Sequence, residues 1–284
     1  MLSAGSQSAE AYVCSSYRTS AASQRLNAEH KAWFVGLIEA DGWISAKKSG
    51  KYIQYELGLE MHKRELPMLH QINNMFQLQG SVYTRKDRPN MAVLAVRKKK
   101  VLISTVVPIF ETYPMLTPKQ KDFLYFRHHL VTLKTIYWEN LKEYRKNDVK
   151  WESLYVDQLL QLPYFDSWLI GFMNGEGSFS TSDHQDRKDY SCSFRIGQKF
   201  LETPPYCLEA IRKRLGVQNK LWQNKEEDFW SLYVASVVRV QKVINFVSKT
   251  APSLRGHKRV QFVLWIKQIR TNPRYQKVKI PAKI

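Results

Sequence analysis

Two acidic residues, Asp41 and Glu176, hold the same place in a stretch that occurs twice: Trp33-Phe-Val-Gly-Leu-Ile-Glu-Ala-Asp41-Gly-Trp-Ile-Ser45 and Trp168-Leu-Ile-Gly-Phe-Met-Asn-Gly-Glu176-Gly-Ser-Phe-Ser180. Trp33 with Trp168, Gly36 with Gly171 and Asp41 with Glu176 keep one constant separation, so the copies align without a gap. Each copy reads as an apolar helix ending in an acid and then a glycine, Gly42 or Gly177. A glycine there suits a helix stop, because a left-handed residue is least strained without a Cβ. The acids then stand in the last turn, where the helix dipole disfavours an anion by about 0.3–1 kcal/mol. Gly36 with Ala40, and Gly171 with Gly175, lie four apart on one helical face and let a second backbone come close. Two such helices side by side would deliver both carboxylates to one end. Two like charges confined there need a cation, and oxygen ligands that leave room for water and phosphate suit Mg²⁺.

The elements that must position these acids also repeat. After the first acid, residues 51–61 alternate as a half-buried strand, with Ile53, Tyr55, Leu57, Leu59 and Met61 on the apolar face and Gln54, Glu56, Gly58 and Glu60 opposite. Helical spacing follows over 65–76, then a hairpin over 81–97 with its turn near Asp87 to Asn90, a helix reaching Phe110, and another opened by Pro118. The second copy runs in the same order: a strand over 189–198, helix 205–215, hairpin 219–235, helix 239–248 and a closing helix 258–270. Gln198 falls on the inward face where Met61 falls in the first half. Lys119 and Lys258 provide a second anchor of the duplication, each lying four residues before a phenylalanine, Phe123 or Phe262.

Composition narrows the partner. The chain has 284 residues, enough for one large or two ordinary domains, and 44% hydrophobic content argues for a globular protein. The 44 Lys+Arg against 25 Asp+Glu leave a formal charge of +19, which suits a polyanion whose condensed counterions are released on binding. No apolar run reaches membrane-spanning length. Cys14, Cys192 and Cys207 have neither disulfide-framework nor zinc spacing.

With these residues in view, both repeated stretches resemble the LAGLIDADG motif of homing endonucleases and intron maturases, Phe34 to Gly42 and Leu169 to Gly177 filling its nine positions. Glu39 and Asn174 depart from it at the first acid, and Glu176 replaces Asp at the second. Lys51-Tyr-x-x-Tyr-Glu-Leu-Gly, Pro108-Ile-Phe-Glu-x-Tyr-Pro114 and Leu264-Trp-x-Lys-Gln268 further resemble the endonuclease-maturases of fungal mitochondrial cytochrome b group I introns. The resemblance implies an α+β fold of two pseudo-symmetric αββαββα repeats whose saddle-shaped antiparallel sheets lie in the DNA major groove. It implies that Asp41 and Glu176 bind the metal, helped by the backbone carbonyls of Ala40 and Gly175, with Mn²⁺ as an alternative to Mg²⁺. Lys119 and Lys258 match the family's active-site lysines and Gln198 its polar supporting residue. Met61 offers no such group in the first half, so the two strand-cutting sites should be chemically unequal.

Base reading should fall to outward strand faces and hairpin tips, since a two-stranded ribbon fits the major groove. Candidates are Gln54, Arg85, Lys86, Arg88, Arg195, Lys199, Gln223 and Lys225. The expected organisation is a disordered or targeting segment over 1–28, repeats over 29–136 and 165–284, and a linker over 137–164. The Ser- and Ala-rich start is compatible with an organelle transit segment, a disordered start or exon-derived sequence read in frame. The expected activity is double-strand cleavage of a long DNA site by a monomer in the mitochondrion, with no membrane partner. A maturase that binds its group I intron RNA is the alternative; a transcriptional regulator would need a helix-turn-helix region that is absent from the sequence.

Overall fold

A computed structural model describes residues 28–132, 137, 149–183, 190–199 and 205–282. The repeated stretches form helices α1 (28–41) and α6 (Phe165–Glu176), each ending on its acid. From α1 the chain enters β1 (Gly42–Ser49) and β2 (Tyr52–His62), crosses helix α2 (Leu66–Met75), and returns as β3 (Ser81–Thr84) and β4 (Met91–Val96). Helix α3 follows over 99–112, with a π-helical stretch at Leu102–Val106, and then α4 (Lys119–Arg127). The second half repeats this with β5 (Ser178–Asp183), β6 (Tyr190–Lys199), α7 (Tyr206–Arg214), β7 (Trp222–Asn224), β8 (Phe229–Val234), α8 (Val237–Lys249) and α9 (Gly256–Thr271). Both sheets are antiparallel and share one topology, β1-β2-β4-β3 and β5-β6-β8-β7. The α+β class and the repeat order are as the sequence implied.

The period-2 pattern decides which face each sheet buries. Leu57, Leu59 and Met61 of β2, and Cys192, Phe194 and Ile196 of β6, pack under the helices, while the alternate residues form the opposite faces. Between the two sheets lie α1 and α6, buried along most of their length. Their closest approach is reciprocal: a Cβ added to Gly36 would run into the Trp168 carbonyl oxygen, and one added to Gly171 into that of Trp33. One turn on, a Cβ at Gly175 would strike Ala40. The helices therefore touch backbone to backbone, as the small residues four apart required.

One expectation needs correcting. Neither Gly42 nor Gly177 is left-handed; Gly177 has φ −71° and ψ 142° and simply continues into β5. Both are small because the chain folds back over its own helix: an added Cβ would lie 2.8 Å from Ile38 O at Gly42 and 2.6 Å from Met173 O at Gly177. The stretch expected as a linker contains helix α5 (Val156–Gln161), whose Leu159 is buried and which packs on α7. Residues 138–148 of that stretch, and 1–27 of the N-terminal segment, lie outside the described residues. Among the described residues no helix is long and apolar enough to cross a membrane.

Forcing apart a backbone contact of this kind should be costly. Gly171→Ala is expected to lower stability by at least ~2 kcal/mol, read as a drop in the thermal unfolding midpoint. An unchanged midpoint would mean that the helices are not in backbone contact.

Candidate active site and nucleic-acid interface

Asp41 and Glu176 meet at the shared end of α1 and α6. An added Cβ on Gly175 would lie 2.8 Å from Asp41 Oδ2, so the first acid rests against the second motif. Burial and the charge of Asp41 push the Glu176 carboxyl up to about 7. Burial likewise raises Asp41, against the pull of Lys258 and Lys119. Two carboxylates thus resist ionising together, which is the electrostatic mark of a place that wants a cation.

The two lysines stand at the same end. Lys119 Nζ donates to the carbonyls of Ile38 (3.0 Å), Glu39 (2.7 Å) and Gly42 (2.7 Å), and Lys258 Nζ donates to Gly177 O. Each ammonium satisfies carbonyls at the end of its own half's motif helix, where a positive charge is favoured. Burial lowers the pKa of both, while the neighbouring carboxylates oppose that shift. Gln198 reaches from β6 to the first motif, its Nε2 donating to Glu39 O (3.4 Å). Its Oε1 is buried and has no hydrogen-bond partner among the described residues, an acceptor left over next to the first motif.

These residues fit a hard divalent cation. Among the described residues no group of three His, Cys, Asp or Glu side chains could hold a metal, so a cation here would rely on the two carboxylates, helix-end carbonyls such as those of Ala40 and Gly175, and water.

A supporting layer was not foreseen from sequence. Glu39 is fully buried and accepts from Leu116 N (2.8 Å), Thr117 N (2.7 Å) and Thr117 Oγ1 (2.7 Å), and from Trp168 Nε1 across the helix pair. Burial raises its carboxyl to about 7 although all four donors pull it down. Asn174 does the same work without charge: its Oδ1 accepts from Trp33 Nε1 (3.2 Å) and Arg255 N (3.1 Å), and its Nδ2 donates to Arg255 O (2.9 Å). Each residue therefore ties the opposite helix to the segment that leads into a lysine-bearing helix. The constant Trp-to-polar spacing in the two motifs was the available signal.

The outer sheet faces form the candidate nucleic-acid surface, and the halves differ there. On the first sheet, Glu60 accepts from Arg85 (2.9 Å) and Arg88 (2.9 Å), and Asp87 holds Arg85 from the other side at 2.9 and 2.6 Å. Hydrogen bonds from Arg85 bring Asp87 down to about 2. Glu56, buried by Trp43, binds Trp43 Nε1 (2.9 Å), Arg97 and Gln54 (3.5 Å). Lys86 is exposed at the hairpin tip. On the second sheet Arg195 lies over the rings of Trp222 (5.7 Å) and Phe229 (5.6 Å), with Lys199 and Lys225 exposed nearby in the fold. Gln223 is not on this face. Its register row is Gln198 and Trp230, on the helix side, whereas Trp222 shares a row with Ser231 and Gly197 on the outer face. The hairpin lies within its expected bounds, but Gln223 is one residue out of step with the outer face, and in a strand one residue reverses the face.

The sequence model of the LAGLIDADG endonuclease family matches residues 34–130 and 169–269. A probable intron-encoded endonuclease, aI3 of Dictyostelium citrinum, is 27% identical over 76% of this chain and 86% of its own. The uncharacterized mitochondrial protein RF1 of Saccharomyces cerevisiae is 28% identical over 58% of this chain but only 34% of that protein, so the chain spans about a third of that relative. The crystal structure of the LAGLIDADG homing endonuclease I-GzeII with its DNA target aligns at TM-score 0.64 and 22% identity, over 83% of this chain and 88% of that one. That likeness establishes the fold.

The raised Glu176 carboxyl has a consequence for the metal-free protein. Between its ordinary 4.5 and about 7 the folded state keeps a proton that the unfolded chain has lost, so this contribution to stability is present below 4.5 and is lost as pH rises toward 7. In a chelator, the unfolding midpoint should fall more steeply over that range for the parent than for Glu176→Gln. Parallel curves would show that the group is not perturbed.

Proposed function

Because the chain belongs to the LAGLIDADG endonuclease family, we propose that it is an intron-encoded homing endonuclease that cuts both strands of one long double-stranded DNA site as a monomer. The observation that carries this reading is the pair of half-buried carboxylates, Asp41 and Glu176, both raised at one end of the packed helices. RNA binding alone gives no physical reason to place two such groups there. Mitochondrial location is supported by the mitochondrial relative RF1.

Asp41 and Glu176 would hold Mg²⁺ with the carbonyls of Ala40 and Gly175. When bound, it supplies an activated water, neutralises charge on the phosphorane and supports the leaving 3′ oxygen. Lys119 and Lys258, held at the helix ends by backbone carbonyls, are placed to stabilise charge that develops on the scissile phosphates. Gln198 offers its free Oε1 to order a water on one side only, since Met61 takes the matching place in the other half. The sheet faces bind the duplex. Arg85 and Arg88, held by Glu60, and Arg195, stacked on Trp222, are the strongest candidates for base edges; Gln54, Lys86, Lys199 and Lys225 complete the surface.

The test is Mg²⁺-dependent cleavage of duplex DNA spanning the intronless exon junction of the host gene. Asp41→Asn and Glu176→Gln should each cut at least about a hundredfold more slowly than the parent, since metal stabilisation of the transition state amounts to several kcal/mol, with DNA affinity retained. Parent-like cutting by both variants would remove the acids from the chemistry. No cutting by the parent, together with tight binding of the intron RNA, would favour a maturase instead.

A further inference from the structure

Lys258 stands in the first turn of α9, and the start of that helix is held from the other half of the molecule. Arg255, at its N-cap, makes no side-chain capping bond. The free N–H groups of a helix start need acceptors. One comes from the second motif, where Asn174 takes Arg255 N. The other comes from Glu65, in the short 3₁₀ turn Lys63–Glu65 that ends β2 of the first half. Glu65 is buried, and both of its carboxylate oxygens accept from His257 N, at 3.0 and 3.1 Å.

The residue between these contacts is shaped to allow them. Gly256 has φ +57°, a left-handed backbone, and an added Cβ would run into Glu65 Oε2. A side chain at 256 would be strained by the backbone and would displace the carboxylate. The negative charge also lies at the positive end of the α9 dipole, one residue before Lys258. Nothing in the proposed chemistry uses Glu65, yet its burial and its two bonds to one amide fix it rigidly.

We propose that Glu65 is a positioning residue for Lys258, setting from the first half where the second half's lysine stands. This rests on Lys258 acting at one of the two scissile phosphates. Lys119 is placed differently, through Glu39 of its own half. Loss of Glu65 should therefore impair one strand cut and spare the other.

The experiment follows each strand separately on a duplex labelled at both 5′ ends, for the parent, Lys258→Met, Glu65→Ala, Glu65→Gln and the double variant Glu65→Ala with Lys258→Met. Glu65→Ala should slow the strand that Lys258→Met slows, by on the order of tenfold for a small displacement of a catalytic group, while leaving the other strand and DNA affinity as in the parent. Glu65→Gln keeps one acceptor for His257 N and should slow the same strand less. The double variant should be no slower than Lys258→Met. Equal slowing of both strands by Glu65→Ala, or none, would overturn the proposal. Should Glu65→Ala fail to fold, as judged by thermal unfolding, Glu65→Gln decides by the same criterion: slowing confined to that strand supports the proposal, and uniform or absent slowing overturns it. If Lys258→Met itself shows no strand bias, the role given to Lys258 falls and this proposal with it. A biased Lys258→Met beside unbiased Glu65 variants refutes the proposal alone.

Discussion

Backbone contact between two helices is the constraint on which this molecule depends. Gly36 and Gly171 let α1 and α6 touch main chain to main chain, and everything placed at their common end inherits that separation. The two acids are brought to one end, where burial raises both and the charge of Asp41 raises Glu176 further, and lysines then close the helix ends with carbonyl contacts. Glu39 and Asn174 turn the same contact into a crossed brace, each bonded to the tryptophan of the opposite helix and to the segment before a lysine. Two otherwise costly features, packed glycines and half-buried like charges, share one location.

Charge is not spread evenly over the basic surface. On the first sheet the arginines are bound by Glu56, Glu60 and Asp87, which limits their rotamer freedom before any partner arrives. A side chain already fixed loses less entropy on binding, and a carboxylate beside it can itself accept from a base amino group. The second sheet uses aromatic faces to steady Arg195 instead. One duplicated topology therefore carries two chemically different outer faces, as the proposed binding of a site that is not a palindrome would require.

Much of this was legible from local pattern. The two helices, both strand-rich halves and the paired acids follow from periods of 3.6 and 2 and from a repeat without gaps. What failed depends on information that local pattern does not hold. Gly42 and Gly177 look like left-handed stops, but their need for a small side chain comes from a close local approach to the residue four before each of them. Gln223 was set on the wrong face because a short hairpin strand gives too few residues to fix its register. The motif alone does not explain why a charge stands at Glu39 and none at Asn174; the four donors that converge on Glu39 do. Glu65 gave no signal, since its partner His257 is far along the chain.

The contacts that cross the molecule bear on how such a chain can be recombined. Trp168 to Glu39, Trp33 to Asn174, Gln198 to Glu39 and Glu65 to His257 all join one half to the other. A chimera cut between the halves would separate every one of these pairs. The exchangeable unit is therefore not a half but a sheet surface, grafted between its flanking helices. Residues there can change one at a time, while the seam between the halves must change in matched pairs or not at all.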